Sequence, residues 1–148
     1  MYLKLVLNKG GNVMRKEIYI TEFDKEKLSK LIDAEIKSGN MLDIPMKKLS
    51  DEINNAIVVS SRQLPQDIIT MNTRALLHLD HEDIELTLVY PEEADLASNK
   101  MSILSPIGTA ILGYKVGDTV VWEVPSGVTH IFIKEILYQP EASGDYHL

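Results

Sequence analysis

Two hydrophobic periods divide the chain. Between residues 21 and 56 apolar side chains recur every three or four positions. Leu28, Leu31, Ile32 and Ile36 fall on one helical face, and Met46, Leu49, Ile53 and Ala56 step by three, four and three. Thr21, with Asp24 three residues on, is a capping-box-like start in which Asp stands where Glu is usual. Gly39 and Asn40 supply stop signals for this helix, and Pro45 suits the first turn of a second. Ser60, Ser61 and Pro65 close that second helix. Two helices of about 14–16 residues, each about 20–24 Å long, with a short connection predict an antiparallel hairpin. The stripes are narrow and one-sided, which favours a pair packing mainly on itself. Two heptads are too few for a long coiled coil.

After Pro65 the period becomes two. Ile84, Leu86, Leu88 and Tyr90 alternate with polar neighbours; so do Val120, Trp122 and Val124, and then Ile131, Ile133 and Leu137. Such alternation predicts half-buried strands. Pro125, Ser126 and Gly127 read as the turn of a hairpin, so this part is an antiparallel sheet. One segment, SPIGTAILGYKVGD at 105–118, interrupts the strands. Ser105 can cap a helix and Pro106 can occupy its first position. Ile107, Ala110, Ile111 and Leu112 give it an apolar side to lay on the sheet, Gly113 can end it, and Gly117-Asp118 turns the chain into the next strand. A sheet covered by one short helix, attached to a helical hairpin, is an α+β architecture. Ahead of it, residues 1–15 read as a leader of uncertain status. Gly10-Gly11 interrupts it, Met14 is a candidate start, and residues 4–7 can add a short strand. The expected divisions are 1–15, 16–64 and 65–148.

The 148 residues amount to about one domain's worth of chain. Apolar content of 45% and charged content of 25% fit a soluble globular protein. No apolar run is long enough to cross a bilayer, and no cleavage site follows the N-terminal apolar residues. The absence of cysteine excludes a disulfide framework and thiolate metal sites, and the cytoplasm is the expected location. A net charge of −7 argues against general nucleic-acid binding. Residues 1–60 carry ten Lys/Arg against nine Asp/Glu, and residues 61–148 five against thirteen. Residues 80–95 hold seven carboxylates and no Lys or Arg, which is either a solvated face or a surface for a basic partner.

No sequence motif of metal, nucleotide or serine-hydrolase chemistry is present. His78, His81, His130 and His147 are not spaced as metal ligands, and Trp122 fits a strand core. These residues make no case for an enzyme and point to a protein-binding module.

Several segments carry a resemblance: DIITMNTRALL at 67–77, LTLVYPEEAD at 86–95, SPIGTAILGYKVGD at 105–118 and VVWEVPSGVTHIFIKEILYQPEASGDY at 120–146. In order across residues 16–148 they resemble the Rnk proteins, named as regulators of nucleoside diphosphate kinase and related to the Gre transcript-cleavage factors. TMNTR and YQPEASGDY point to the Rnk branch. The resemblance implies a hairpin followed by an FKBP-like domain. It also implies bacterial RNA polymerase as partner, bound near its secondary channel, with no direct sequence-specific nucleic-acid binding and no membrane.

Gre factors dock through an Asp-Ser-Pro sequence ahead of the short helix. Here the matching residues are Leu104, Ser105 and Pro106, with Leu104 replacing the acidic residue; the pair Ser105-Pro106 is either a docking contact or simply a helix cap. The Gre tip carries two acidic residues that help hold magnesium at the polymerase active site. In this chain the tip is Asn40, Met41, Leu42 and Asp43, with one carboxylate that also suits a cap for the second helix. Met41, Leu42 and Ile44 suit a contact role there. The expectation is therefore a polymerase-binding regulator that does not stimulate cleavage, with no catalytic residue, metal or cofactor of its own. The alternative is an active cleavage factor using Asp43 with Asp33 or Glu35 and magnesium. Prolyl isomerase activity does not follow from an FKBP-like fold, and an effect on nucleotide metabolism would be downstream regulation.

Overall fold

The computed structural model describes residues 4–7, 10, 13–14, 18–39, 44–124 and 127–146. The period-two segments form the sheet. β5 (Arg74–Leu79) pairs antiparallel with β6 (Glu82–Val89) on one side and β9 (Gly127–Tyr138) on the other, and β8 (Thr119–Val124) pairs antiparallel with β9. Each strand turns one row inward, so that Leu77, Leu88, Val120 and Ile133 are fully buried. Asp80 and His81, at φ 51° and 69°, make the tight turn between β5 and β6. Two successive positive φ values give the turn whose twist matches a hairpin.

The sheet departs from the expected antiparallel form at its edge. β7 (Lys100–Ser102) lies parallel to β6. A parallel neighbour needs a crossover, and residues 90–99 supply it through two 3₁₀ turns, Pro91–Glu93 and Leu96–Ser98. At the opposite edge the segment 4–7 does form a strand. β1 (Lys4–Leu7) pairs antiparallel with β8, and β2 (Val13–Met14) pairs with β1. Among the described residues the order is therefore β2-β1-β8-β9-β5-β6-β7.

Leu137 does not continue the inward row of β9. Against β5 the register skips Lys134 and then Leu137. Each β-bulge reverses which side chains face the core. Ile136 thus packs on the core and Leu137 is exposed.

β3 (Tyr19–Thr21) leads into α1 (Glu22–Lys37), and the Thr21 hydroxyl accepts the Asp24 N–H at 3.0 Å. Leu28 and Ile32 are buried, whereas Ile36 is 53% exposed. The helix outruns the core in its last turn, so Ile36 leaves the predicted stripe. α2 (Ile44–Asn54) buries Met46, Leu49 and Ile53. Its 11 residues fall short of the expected length, and Ala56 lies beyond it. The following Ile57, Val58 and Val59 are β-branched and form β4 (Ile57–Val59), parallel to β3. The connection 40–43 lies outside the described residues, as do Pro125 and Ser126.

α3 (Pro106–Ile111) packs against β7, β8 and α2. The buried faces of α1 and α2 belong to the same hydrophobic cluster as the inner face of the sheet. The two helices therefore do not pack mainly on each other; their base is part of one core. Gly113, which ends α3 at φ +83°, sits at the meeting point. A Cβ there would collide with the Ile18 side chain just ahead of β3. Gly113→Ala should therefore destabilise the fold by about 3 kcal/mol, combining left-handed strain with overpacking. Urea denaturation checks this; a change below about 0.5 kcal/mol would contradict the packing described.

Candidate functional site

The turn before α3 is built by one carbonyl. Ser102 O accepts both the Ser105 N–H at 3.0 Å and the Ser105 hydroxyl at 2.7 Å. The Ser105 Oγ in turn accepts the Gly108 N–H at 3.1 Å, and the Ser102 Oγ accepts the Leu104 N–H at 3.0 Å. A Cβ on Gly108 would collide with Ser102 O, so the turn requires glycine at that position. The three residues singled out from the sequence thus have different surroundings. Leu104 is half-buried and packs on the core. Ser105 uses its hydroxyl both as donor and as acceptor within the turn. Pro106 is exposed at the first helical position. Across β7 from this turn, the 3₁₀ turns hold Glu92, Glu93 and Asp95 in the open with Leu96, which is 76% exposed. Asp95 caps the second of them, accepting the Ala97 N–H at 3.1 Å and the Ser98 hydroxyl at 2.9 Å.

The acidic stretch does not form one surface. Asp83 meets Lys134 and His78, each at 2.8 Å, and Glu85 lies 3.5 Å from Arg74. The hydrogen bonds from Lys134 and then His78 hold the Asp83 carboxyl below the usual carboxylate range. These pairs are exposed and contribute little to stability. Glu92 and Glu93 stand apart, beside β7. Among the described residues, no group of three His, Asp or Glu side chains is placed to hold a metal ion. None of the described helices is long and apolar enough to cross a membrane.

At the far end of α1, Asp33 is exposed and Glu35 half-buried. Residues two apart on a helix point to different sides, so these two do not converge. Asn40, Met41, Leu42 and Asp43 lie outside the described residues.

A second polar centre went unread in the sequence. Asp24 looked like the acidic member of a capping box. Its carboxylate instead leaves the helix and reaches the loop before β5 and the residue that follows β6. Oδ2 accepts the Met71 N–H at 3.3 Å and Oδ1 accepts the Tyr90 hydroxyl at 3.4 Å. The residue is fully buried. Glu141, also buried, accepts the Thr70 hydroxyl at 2.7 Å, and Thr70 and Thr73 are joined at 2.9 Å. Burial, and then the Glu141 charge, push the Asp24 carboxyl up to about 7. Burial, and then Asp24, push the Tyr90 hydroxyl above its ordinary value. The T-M-N-T string and Glu141 are the sequence signals for this centre, but they lie about 70 residues apart and only the fold brings them together.

Comparison with known proteins now places the chain. A family model described as Rnk N-terminus matches residues 16–59, and one described as transcription elongation factor GreA/GreB, C-terminal, matches residues 64–138. The regulator of nucleoside diphosphate kinase of Escherichia coli K12 is 36% identical over 138 residues, 90% of this chain and 98% of that protein. The chain belongs to the Rnk branch of the GreA/GreB family. The transcription elongation factor GreA of Chlorobaculum parvum is 32% identical over 146 residues, covering 86% of this chain and 92% of that protein. A GreA/GreB structure from Nitrosomonas europaea superposes with a TM-score of 0.69 at 35% identity, over 82% of this chain and 99% of that one. The relatives are named as regulators or factors rather than catalysts.

Two measurements check this geometry. Ser105→Ala removes a satisfied N-cap and should cost about 1 kcal/mol in urea denaturation, whereas Pro106→Ala should cost much less. For Asp24, a folded-state pKa above the usual acidic value means that the native state binds the extra proton. Its contribution is fully present below about pH 4 and is lost as pH rises towards 7. The difference between wild type and Asp24→Asn isolates that term, and should change by a few kcal/mol between pH 4 and pH 8. A difference that does not vary with pH would contradict the buried carboxyl.

Proposed function

We propose that this protein is a transcription regulator that docks on bacterial RNA polymerase near its secondary channel and does not stimulate transcript cleavage. Docking uses the turn at Leu104, Ser105 and Pro106, with Leu104 anchoring the turn in the core, Ser105 shaping it and Pro106 meeting the partner. On this reading α1 and α2 are the arms of a short antiparallel hairpin, and residues 65–148 are the FKBP-like docking domain.

The observation that carries the proposal is the length of the arm. α1 runs only five residues past its last buried side chain, Ile32, to Lys37. At 1.5 Å per residue that is about 8 Å of free helix. An arm of this length reaches the channel mouth and not a distant active site. The carboxylates there do not form a metal pair: Asp33 and Glu35 point apart, and the sequence of the connection offers only Asp43. A cleavage factor needs acidic groups that converge on the ion they position.

Stalled elongation complexes test the proposal directly. Adding the protein should leave the rate of transcript shortening unchanged while slowing cleavage stimulated by a Gre factor. Rapid cleavage on adding this protein alone would establish the opposite reading, an active cleavage factor. In parallel, Pro106→Ala should weaken binding to core polymerase at least several-fold with an unchanged melting temperature. Equal binding by that variant would move the docking surface elsewhere.

A further inference from the structure

The sheet is closed differently on its two sides. On one side the crossover closes β7: the Asp95 N–H donates to Lys100 O at 3.0 Å, and the Lys100 N–H donates to Asp95 O at 2.9 Å. β7 is also only three residues long and carries an exposed lysine. Shortness, lysine and a covering segment are common defences of a sheet edge. β8 has none of them. It pairs residue for residue with β9 from Thr119 to Val124, with no bulge and no proline. Its first four residues, Thr119, Val120, Val121 and Trp122, include no charge. What covers it is β1, in register from Lys4 opposite Trp122 to Leu7 opposite Thr119. β1 is held on its far side by a single short pairing, Val6 with Met14 and Leu7 with Val13. Residues 4–7 lie outside both family-model matches, of which the first begins at residue 16. The matched part of the chain therefore ends its sheet at β8, and the strand that covers β8 is an addition to it.

This edge suits a second copy of itself. In an antiparallel two-fold pairing centred on Val121, Val120 lies opposite Trp122 of the second copy. Both belong to the inner row of the sheet, at 0% and 3% exposure. The alternation then stays in phase across the junction, and the inner face of one copy continues into that of the other. Val6 shows the same phase within the chain, buried opposite Val120. The half-buried Val121 of each copy meet on the outer face.

We infer that β1 masks a self-pairing edge: with residues 4–7 on β8 the chain is a monomer, and without them β8 pairs antiparallel with β8 of a second copy. A chain begun at the candidate start Met14 carries the edge open, so the choice of start sets the assembly state. A contact of one short strand on another buries less than a standard interface, so the dimer is weak and depends on concentration. The inference rests on the edges of the sheet and does not require that the partner of the turn at Pro106 be polymerase.

The test is analytical ultracentrifugation of the full-length chain between about 10 and 300 µM, the range of a weak interface. The wild type should stay a monomer throughout. Val6 is paired on both sides, with Met14 and with Val120. Proline there removes a ladder hydrogen bond on one side or the other and should strip β1 from β8. Val6→Pro should then approach twice the chain mass at the top of the range. Adding Val121→Lys sets two like charges against each other at the two-fold axis and should return the protein to a monomer. A wild-type dimer would overturn the inference, as would a Val6→Pro chain that stays monomeric or a dimer that survives Val121→Lys. Should Val6→Pro fail to fold, Val6→Asp takes its place, since a charge at that buried position also expels the strand; the same three outcomes then decide.

Discussion

Ile18 lies against the α-carbon of Gly113 with no room for a Cβ between them. That contact fixes the rest of the arrangement. Ile18 begins the segment that becomes β3 and α1, and Gly113 ends the helix that covers the sheet. Once the two are in contact, the base of α1 and α2 joins the inner sheet face in one core. Tyr114, the next residue, reinforces the joint by donating its hydroxyl to Glu52 of α2 at 2.8 Å. The chain then leaves α3 along the loop 67–73, through the Ile69 N–H on Tyr114 O at 2.9 Å and the Gly113 N–H on Ile69 O at 2.8 Å. The tail closes the same region from outside. Gln139 Nε2 donates to the carbonyls of Pro65 and Ile68, and Arg62 stacks over Tyr146. A helical arm rooted this way has a fixed base and little free length.

The same packing leaves one residue of the turn before α3 exposed and engages the other two. Leu104 and the buried Ile103 pull the turn onto the core. Ser102 and Ser105 spend their hydrogen bonds on each other and on α3. What the turn presents outward is the Pro106 ring, on a backbone held by the Ser105 hydrogen bonds. Pre-organisation of this kind lowers the ordering cost of association.

Much of this was legible in the sequence where a local rule had no competitor. Thr21 and Ser105 cap the helices that follow them, and alternation located β6, β8 and most of β9. The rule failed wherever tertiary structure decides. The bulges at Lys134 and Leu137 each shift β9 by one residue, and the first exchanges Leu137 for Ile136 on the core. The β-branched run 57–59 continues an apolar helical pattern, yet becomes a strand because β3 offers a partner. The crossover that makes β7 parallel has no signature other than Pro91 and two short turns. The resemblance to Rnk and Gre proteins carried the family from motifs in order along the chain. Asp24 shows the other limit: a capping pattern described its backbone, while its carboxylate answers to Tyr90, Met71 and Glu141, which only the fold makes neighbours.

The turn at Pro106 is proposed above as the face that meets RNA polymerase. A photo-crosslinking residue placed at position 106, and separately at Phe132 on the sheet face turned away from α3, tests it most directly against core polymerase. Crosslinks to polymerase are expected from position 106 and none from position 132. Crosslinks from position 132 alone, or from neither, would contradict it.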